Sequence, residues 1–217
     1  MKKIFALTFA FLLAASLSAF EINFDMFKDC QIIFDEGLSY AQLTRIEKME
    51  NRSNFVRENM MAGAYYSVQT TGLPGIDFQL DVSAYYPFYQ AFNGMKQKTR
   101  NMIPYAFDGF FGAQKTFKQF RYIYINCALG MHYMYQLTDE YHMSYLGLGG
   151  AIGVELPVSK RWTIINRNYF SYDNANLGSN KQIQKFDAAY QYHINLGVRY
   201  TKRVLNEYPY IRMKSKE

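Results

Sequence analysis

The sequence predicts an all-β protein, an eight-stranded antiparallel up-and-down β-barrel, on three observations. Hydrophobicity alternates with a period of two along most of the chain, the alternating segments are separated by turn-forming or polar connectors, and helical spacing of apolar residues is scarce. Successive strand side chains point to opposite faces, so such alternation marks a strand with one apolar and one polar face.

The segments follow in order. Residues 20–35 place Phe20, Ile22, Phe24, Met26, Cys30, Ile32 and Phe34 on one face, with Lys28 as a flaw. Residues 60–70 alternate more weakly. Residues 77–88 set Phe78, Leu80, Val82, Ala84, Tyr86 and Phe88 against Asp77, Gln79, Asp81, Ser83 and Tyr85. Residues 105–115 alternate again, and residues 121–137 set Ile123, Ile125, Cys127, Leu129 and Met131 against Tyr124, Asn126, Ala128, Gly130 and His132. In residues 142–156, Leu146, Leu148, Ile152, Val154 and Leu156 oppose Tyr145, Gly147, Gly149, Gly153 and Glu155. Residues 162–173 do not phase: one parity groups Asn166 and Asn168 with Trp162 and Ile164, the other Arg167 with Ile165 and Tyr169, and a bulge would reconcile them. Residues 186–200 form the clearest strand, with Tyr190, Tyr192, Ile194, Leu196, Val198 and Tyr200 opposite Asp187, Gln191, His193, Asn195, Gly197 and Arg199. Tight turns are expected at 71–75, 116–118 and 157–161, and longer connections at 36–59, 90–104 and 174–182, with 138–140 short as well.

Composition narrows the class. The 217 residues include 20 Tyr and 18 Phe, 49% are hydrophobic and 19% charged, which excludes intrinsic disorder. Mean hydropathy is -0.25, and a polytopic helical membrane protein is excluded because only residues 4–19 approach a continuous apolar run. Lys2 and Lys3, the apolar stretch and the small residues Ser16, Ser18 and Ala19 read as a cleaved secretory signal covering residues 1–19. The barrel domain is then residues 20–200, and residues 201–217 are a basic periplasmic tail with five cations against two anions. The formal charge of +6 is thereby dispersed: residues 20–200 hold 17 cations and 16 anions, which does not describe a nucleic-acid binder.

One apolar and one polar face suit two opposite objects: a soluble lipocalin-like carrier with its oil inside, or a membrane barrel with its oil outside. Three features favour the membrane. Gly63, Gly112, Gly130, Gly147, Gly149, Gly153 and Gly197 all share the polar parity, where a narrow interior needs room for larger neighbours. Aromatics gather at strand ends as two interfacial girdles: Tyr86, Phe88, Tyr105, Phe107, Tyr133 and Tyr135 at one end, Trp162 and Tyr200 with Phe20 and Phe117 at the other. The clear strands also exceed the roughly 9 to 11 tilted residues that cross a bilayer.

The run LGLGGAIGVELPVSKRW at 146–162, with the closing strand FDAAYQYHINLGVRY at 186–200, resembles the C-terminal half of small bacterial outer-membrane β-barrel proteins of the OmpX, OmpW and OmpA-transmembrane-domain kind. The likeness is architectural and spans most of residues 20–200. Such proteins usually end on a terminal aromatic, whereas this chain continues for 17 residues after Tyr200. The resemblance implies an outer-membrane location in a diderm bacterium, contact with outer-membrane lipid and glycolipid, and recognition of the Ile194 to Tyr200 pattern by barrel-assembly machinery.

Chemical motifs are sparse. The GLGGAIG run lies inside a strand and lacks the dinucleotide spacing, and the chain has no HExxH, CxxC or Gly-x-Ser-x-Gly. Asp77, Asp81, Asp108, His132, Glu155, Lys185, Asp187, His193 and Arg199 face inward and are expected to pair into a lumen network, because isolated buried charges are costly. His132 and His193 lie on strands that are not neighbours, so each is expected to act as a hydrogen-bonded lumen residue, with no metal and no cofactor. His142 beside Asp139 and Glu140 offers the only acid-base group for a membrane-embedded acyltransferase or hydrolase, and no enzyme is expected. Lys96, Lys98 and Arg100 form a basic patch in a long connection, open to an acidic glycolipid or a host surface ligand. The expected role is structural or surface-interactive, with a narrow OmpW-like channel for small or apolar solutes as the alternative.

Overall fold

Alternation along the chain becomes strand after strand in the computed structural model, which describes residues 31–48, 55–71, 76–97, 105–120, 123–137, 142–159, 161–179 and 185–200. These contain β1 (Gln31–Lys48), β2 (Phe55–Thr71), β3 (Asp77–Phe92), β4 (Met95–Lys96), β5 (Tyr105–Phe120), β6 (Ile123–Leu137), β7 (His142–Pro157), β8 (Trp162–Ser179) and β9 (Lys185–Tyr200). The two-residue β4 folds back on β3 through Asn93 and Gly94, whose φ of 48° and 76° supply the left-handed pair a tight hairpin requires. The other eight strands are the staves. Each pairs antiparallel with its chain neighbour, and β1 also pairs with β9 to close the ring. Closure removes the sheet edges that would leave backbone groups unpaired.

The oil is outside. Leu129 and Leu148 on the outer face are 76% and 72% exposed, while polar Asn126 and Gln136 on the opposite parity of β6 are buried. A soluble carrier has the reverse polarity, so the lipocalin-like reading is set aside. Cross-strand ring pairs line the outer surface: Phe78 stacks on Phe111 at 6.2 Å, while Tyr172 and Tyr190 meet tilted at 5.2 Å, as do Trp162 and Tyr200 at 4.9 Å.

The staves are longer than the alternation indicates, with 15 to 18 residues each. β1 runs through Glu36 to Lys48, the stretch expected to begin a long loop, and β2 starts at Phe55. β3 continues to Phe92, β5 to Phe120 and β8 to Ser179, so the expected contrast between long and tight connections shrinks to residues 97–104. The reason is a reversal of polarity toward the end of the barrel opposite the start of β1 and the end of β9. There Ala41 and Leu43 point inward and are fully buried, while Gln42 is exposed outside. Residues 20–30, including Cys30, the signal and the tail lie outside the described residues.

β8 has one phase from Thr163 to Asp173. Thr163, Ile165, Arg167, Tyr169, Ser171 and Asp173 are buried inside, and its register with β9 is unbroken from Trp162 to Asp173, so no bulge is needed there. The irregularities fall beyond it, where Asn174 and Leu177 are extra residues of β8 against the β7 steps Leu146/Gly147 and Ser144/Tyr145. Asn166 and Asn168 therefore face outward. Asn168 donates to Asn166 Oδ1 at 2.8 Å and accepts from the Tyr192 hydroxyl at 3.0 Å, which satisfies part of their polarity against the apolar face.

Candidate functional site

The lumen is filled by three layers of side chains stacked along the barrel. At the end where β1 begins and β9 ends, inward positions of β1, β3, β7, β8 and β9 bring Asp35, Asp81 and Glu155 onto Arg167 and Arg199, all buried. Arg199 donates through Nε and Nη2 to Asp35 at 2.6 and 3.0 Å and through Nη1 and Nη2 to Glu155 at 2.8 and 3.1 Å. The flat guanidinium serves two carboxylates at once, a geometry that lysine lacks. Arg167 reaches Asp81 and Asp35, each at 3.3 Å, and Ser67 at 3.1 Å. Amides complete the layer: Asn126 donates to Glu155 at 2.9 Å, Gln79 donates to the Tyr169 hydroxyl at 2.6 Å and to Asp81, and Gln69 donates to Asp35.

Glycines make the room. Gly112, Gly130 and Gly149 stand side by side on β5, β6 and β7, and the Phe110 ring lies over this bare patch, edge-on to Tyr169 at 5.2 Å. A Cβ at Gly112 would meet that ring at 2.7 Å, and one at Gly153 would collide with the Asn126 amide.

The middle layer holds the histidines. His132 Nδ1 lies 2.8 and 2.9 Å from the two carboxylate oxygens of Asp173, and its Nε2 lies 2.5 Å from Asp108 Oδ2. His193 Nε2 is 3.4 Å from the same Asp108 oxygen, and its Nδ1 lies 2.7 Å from the Tyr85 hydroxyl, which is 2.8 Å from Ser39 Oγ. Ser39 in turn donates to Asn195. The two imidazoles meet edge to face with centroids 5.6 Å apart. The separation of β6 and β9 around the ring does not keep them apart, because the lumen is narrow enough for residues at one height to touch across it.

The third layer, at the far end, is apolar: Leu43, Met61, Met134, Met143 and Tyr145 pack together with Ala41, Ala106 and Ala189. Flexible thioethers fill such irregular space well. Buried Arg45 caps this layer and donates to Gln136 at 2.7 Å.

Asp81, Asp108, His132, Glu155, His193 and Arg199 are all buried inside, and Asp77 is half-buried at the start of β3. The side chains of Lys185 and Asp187 lie outside the described residues. Around the outer face, Tyr86, Phe88, Tyr105 and Phe107 are exposed toward the far end, Trp162, Tyr200 and Phe117 toward the opposite end, and Tyr133 and Tyr135 are partly covered. Lys96 is exposed on β4, while Lys98, Arg100, Asp139, Glu140 and the His142 side chain lie outside the described residues. Sequence reasoning missed Asp35, Arg45 and Asp173. Asp35 carried a signal, since it has the opposite parity to Ile32 and Phe34. Arg45 was hidden in the supposed loop, and Asp173 ended the one segment without a phase.

No family model matches the chain, and no curated protein matches it by sequence. Among solved structures, the chain is similar to neisserial surface protein A, with a TM-score of 0.50 and 12% identity over 79% of this chain and 97% of that one. Outer membrane protein OprG from Pseudomonas aeruginosa aligns with a TM-score of 0.48 and 8% identity over 78% and 94% of the two chains. Ail, the attachment invasion locus protein of Yersinia pestis, aligns at 0.36 and 8% over 78% and 96%. The likeness is one of fold: a closed eight-stranded antiparallel barrel of the outer-membrane kind.

Proposed function

We propose that this protein is an integral outer-membrane barrel of a diderm bacterium, exported by residues 1–19, with a filled lumen and a structural or surface-interaction role. The carrying observation is the distribution of polarity: an apolar, ring-lined outer face around an interior packed by ions at one end and by methionine and leucine at the other. Such a face is stable against hydrocarbon, and such an interior rigidifies the wall. The barrel shared with neisserial surface protein A supports the same reading. Lipid contacts the outer face, and barrel-assembly machinery reads the end of β9. Lys96, exposed on β4, with Lys98 and Arg100 following it in sequence, offers positive charge to an acidic glycolipid or host ligand.

The test is to separate inner and outer membranes of the expressing cells and compare boiled with unboiled samples by gel. The protein is expected in the outer membrane with a mobility that changes on heating, and recovery wholly in soluble fractions would overturn the reading. In planar bilayers the filled lumen predicts no steady conductance; sustained single-channel steps would instead favour the narrow-channel alternative.

A further inference from the structure

We infer that His132, His193 and Asp108 form a binding site for a divalent first-row transition metal ion of the zinc or cobalt type inside the barrel. One ring nitrogen of His132, one of His193 and an Asp108 carboxylate oxygen converge within 4.8 Å of one another, with both Nε2 atoms turned to Asp108, and all three side chains are buried. Two imidazoles and one carboxylate are a donor set that suits such ions and is poor for magnesium or calcium, which take oxygen ligands.

The surrounding hydrogen bonds prepare each ligand atom. Asp173 holds His132 through Nδ1, at 2.8 and 2.9 Å, which turns Nε2 toward Asp108. Around His193 the donors run in one direction. Ser39 spends its hydroxyl proton on Asn195, so Tyr85 donates to Ser39 Oγ at 2.8 Å and accepts from His193 Nδ1–H at 2.7 Å. That leaves the Nε2 lone pair of His193 free to donate to a metal. Buried at 2% exposure, this nitrogen has no hydrogen-bond partner and faces an Asp108 oxygen 3.4 Å away. Asp108 Oδ2 also accepts from Gln191 Nε2 at 3.3 Å, and a cation seated between this oxygen and the bare His193 nitrogen would satisfy both.

The spacing suits one. Ligand atoms about 2.0–2.1 Å from a tetrahedral ion stand roughly 3.3 Å apart, and the His193 to Asp108 separation of 3.4 Å already matches. The His132 to Asp108 contact of 2.5 Å must open by under about 1 Å. The proton it shares leaves as the metal enters. A tetrahedral ion held by these three ligands would leave its fourth position to a water molecule.

The test uses the untagged full chain refolded into detergent micelles with Co2+ or Zn2+, followed by removal of free metal. One ion per chain is expected by elemental analysis, with the absorption bands of tetrahedral Co2+, and no retention of Mg2+ or Ca2+. His193→Gln is expected to abolish retention while its gel mobility still shifts on heating, and His142→Gln to leave retention intact. Should His193→Gln not fold, Tyr85→Phe tests the same site through its support, with affinity for Co2+ expected to fall about 10- to 100-fold. The proposal is overturned if the folded wild type retains no Co2+ or Zn2+, or if retention is the same in wild type, His193→Gln and Tyr85→Phe.

Discussion

Replacing Arg199 by methionine removes the cation that the lumen divides between two carboxylates. Arg199 is 3% exposed and donates four hydrogen bonds to carboxylates, two to Asp35 and two to Glu155. After its loss Asp35 still has Arg167 at 3.3 Å, whereas Glu155 keeps a hydrogen bond from the neutral Asn126 at 2.9 Å and only the longer-range field of Arg167. Breaking a buried pair from one side costs about 3–5 kcal/mol, because the partner is left as an uncompensated charge. That is about two to nearly four decades in the folding equilibrium. At a urea slope of about 2 kcal/mol/M the unfolding midpoint should fall by about 2 M. The assay is urea unfolding of the refolded protein in lipid vesicles, followed by fluorescence of Trp162, the only tryptophan, which packs against Tyr200. Adding Glu155→Gln to Arg199→Met removes the uncompensated charge and should recover at least about half of the loss as coupling between the two sites. A loss under about 1 kcal/mol, the range of solvent-exposed pairs, or purely additive effects in the double variant would refute the reasoning.

Two further comparisons test the packing with outward-facing residues as internal controls. Gly130→Val places side-chain atoms against the Phe111 carbonyl and the Gly112 Cα of β5, so the heat-shifted gel band should vanish. Gly150→Val, whose nearest neighbours are Leu129 Cδ2 at 3.3 Å and Ala128 O at 3.6 Å, should retain that band. Met134→Ala opens a cavity in the apolar layer and should cost about 2–5 kcal/mol in the same urea assay. Met131→Ala, on the 51% exposed outer face, leaves no cavity and should cost clearly less; equal losses would mean that the two faces are misassigned.

Where one face stays apolar for the whole strand, the fold was legible. β6 and β9 have the inward and outward sets that simple alternation assigns, down to His132 and His193 inside. The reading failed where polarity changes along a strand. Beyond Tyr40 the inward side of β1 becomes Ala41 and Leu43 while Gln42 is outside, so a search for one continuous apolar face stops too early. It failed again at Asn166 and Asn168, outward polar residues satisfied by each other and by Tyr192, a partner on another strand. The candidate site was half legible. Parity placed Asp108, His132 and His193 in the lumen, but their meeting depends on strand stagger and a narrow interior, which act across the barrel rather than along the chain. The apolar layer of Met61, Met134 and Met143 was illegible because those residues share the parity otherwise used for polar side chains.

The central claim is that the outer face of this barrel meets hydrocarbon, and Cys127 allows it to be measured. Cys127 is a free, exposed cysteine on the outward side of β6, between Ile125 and Leu129. A fluorophore attached there in a Cys30→Ser background, in phospholipid vesicles, should be quenched by lipids brominated on their acyl chains and shielded from aqueous iodide. Strong quenching by iodide with no effect of the brominated lipids would show that this face is wet, and would contradict the account.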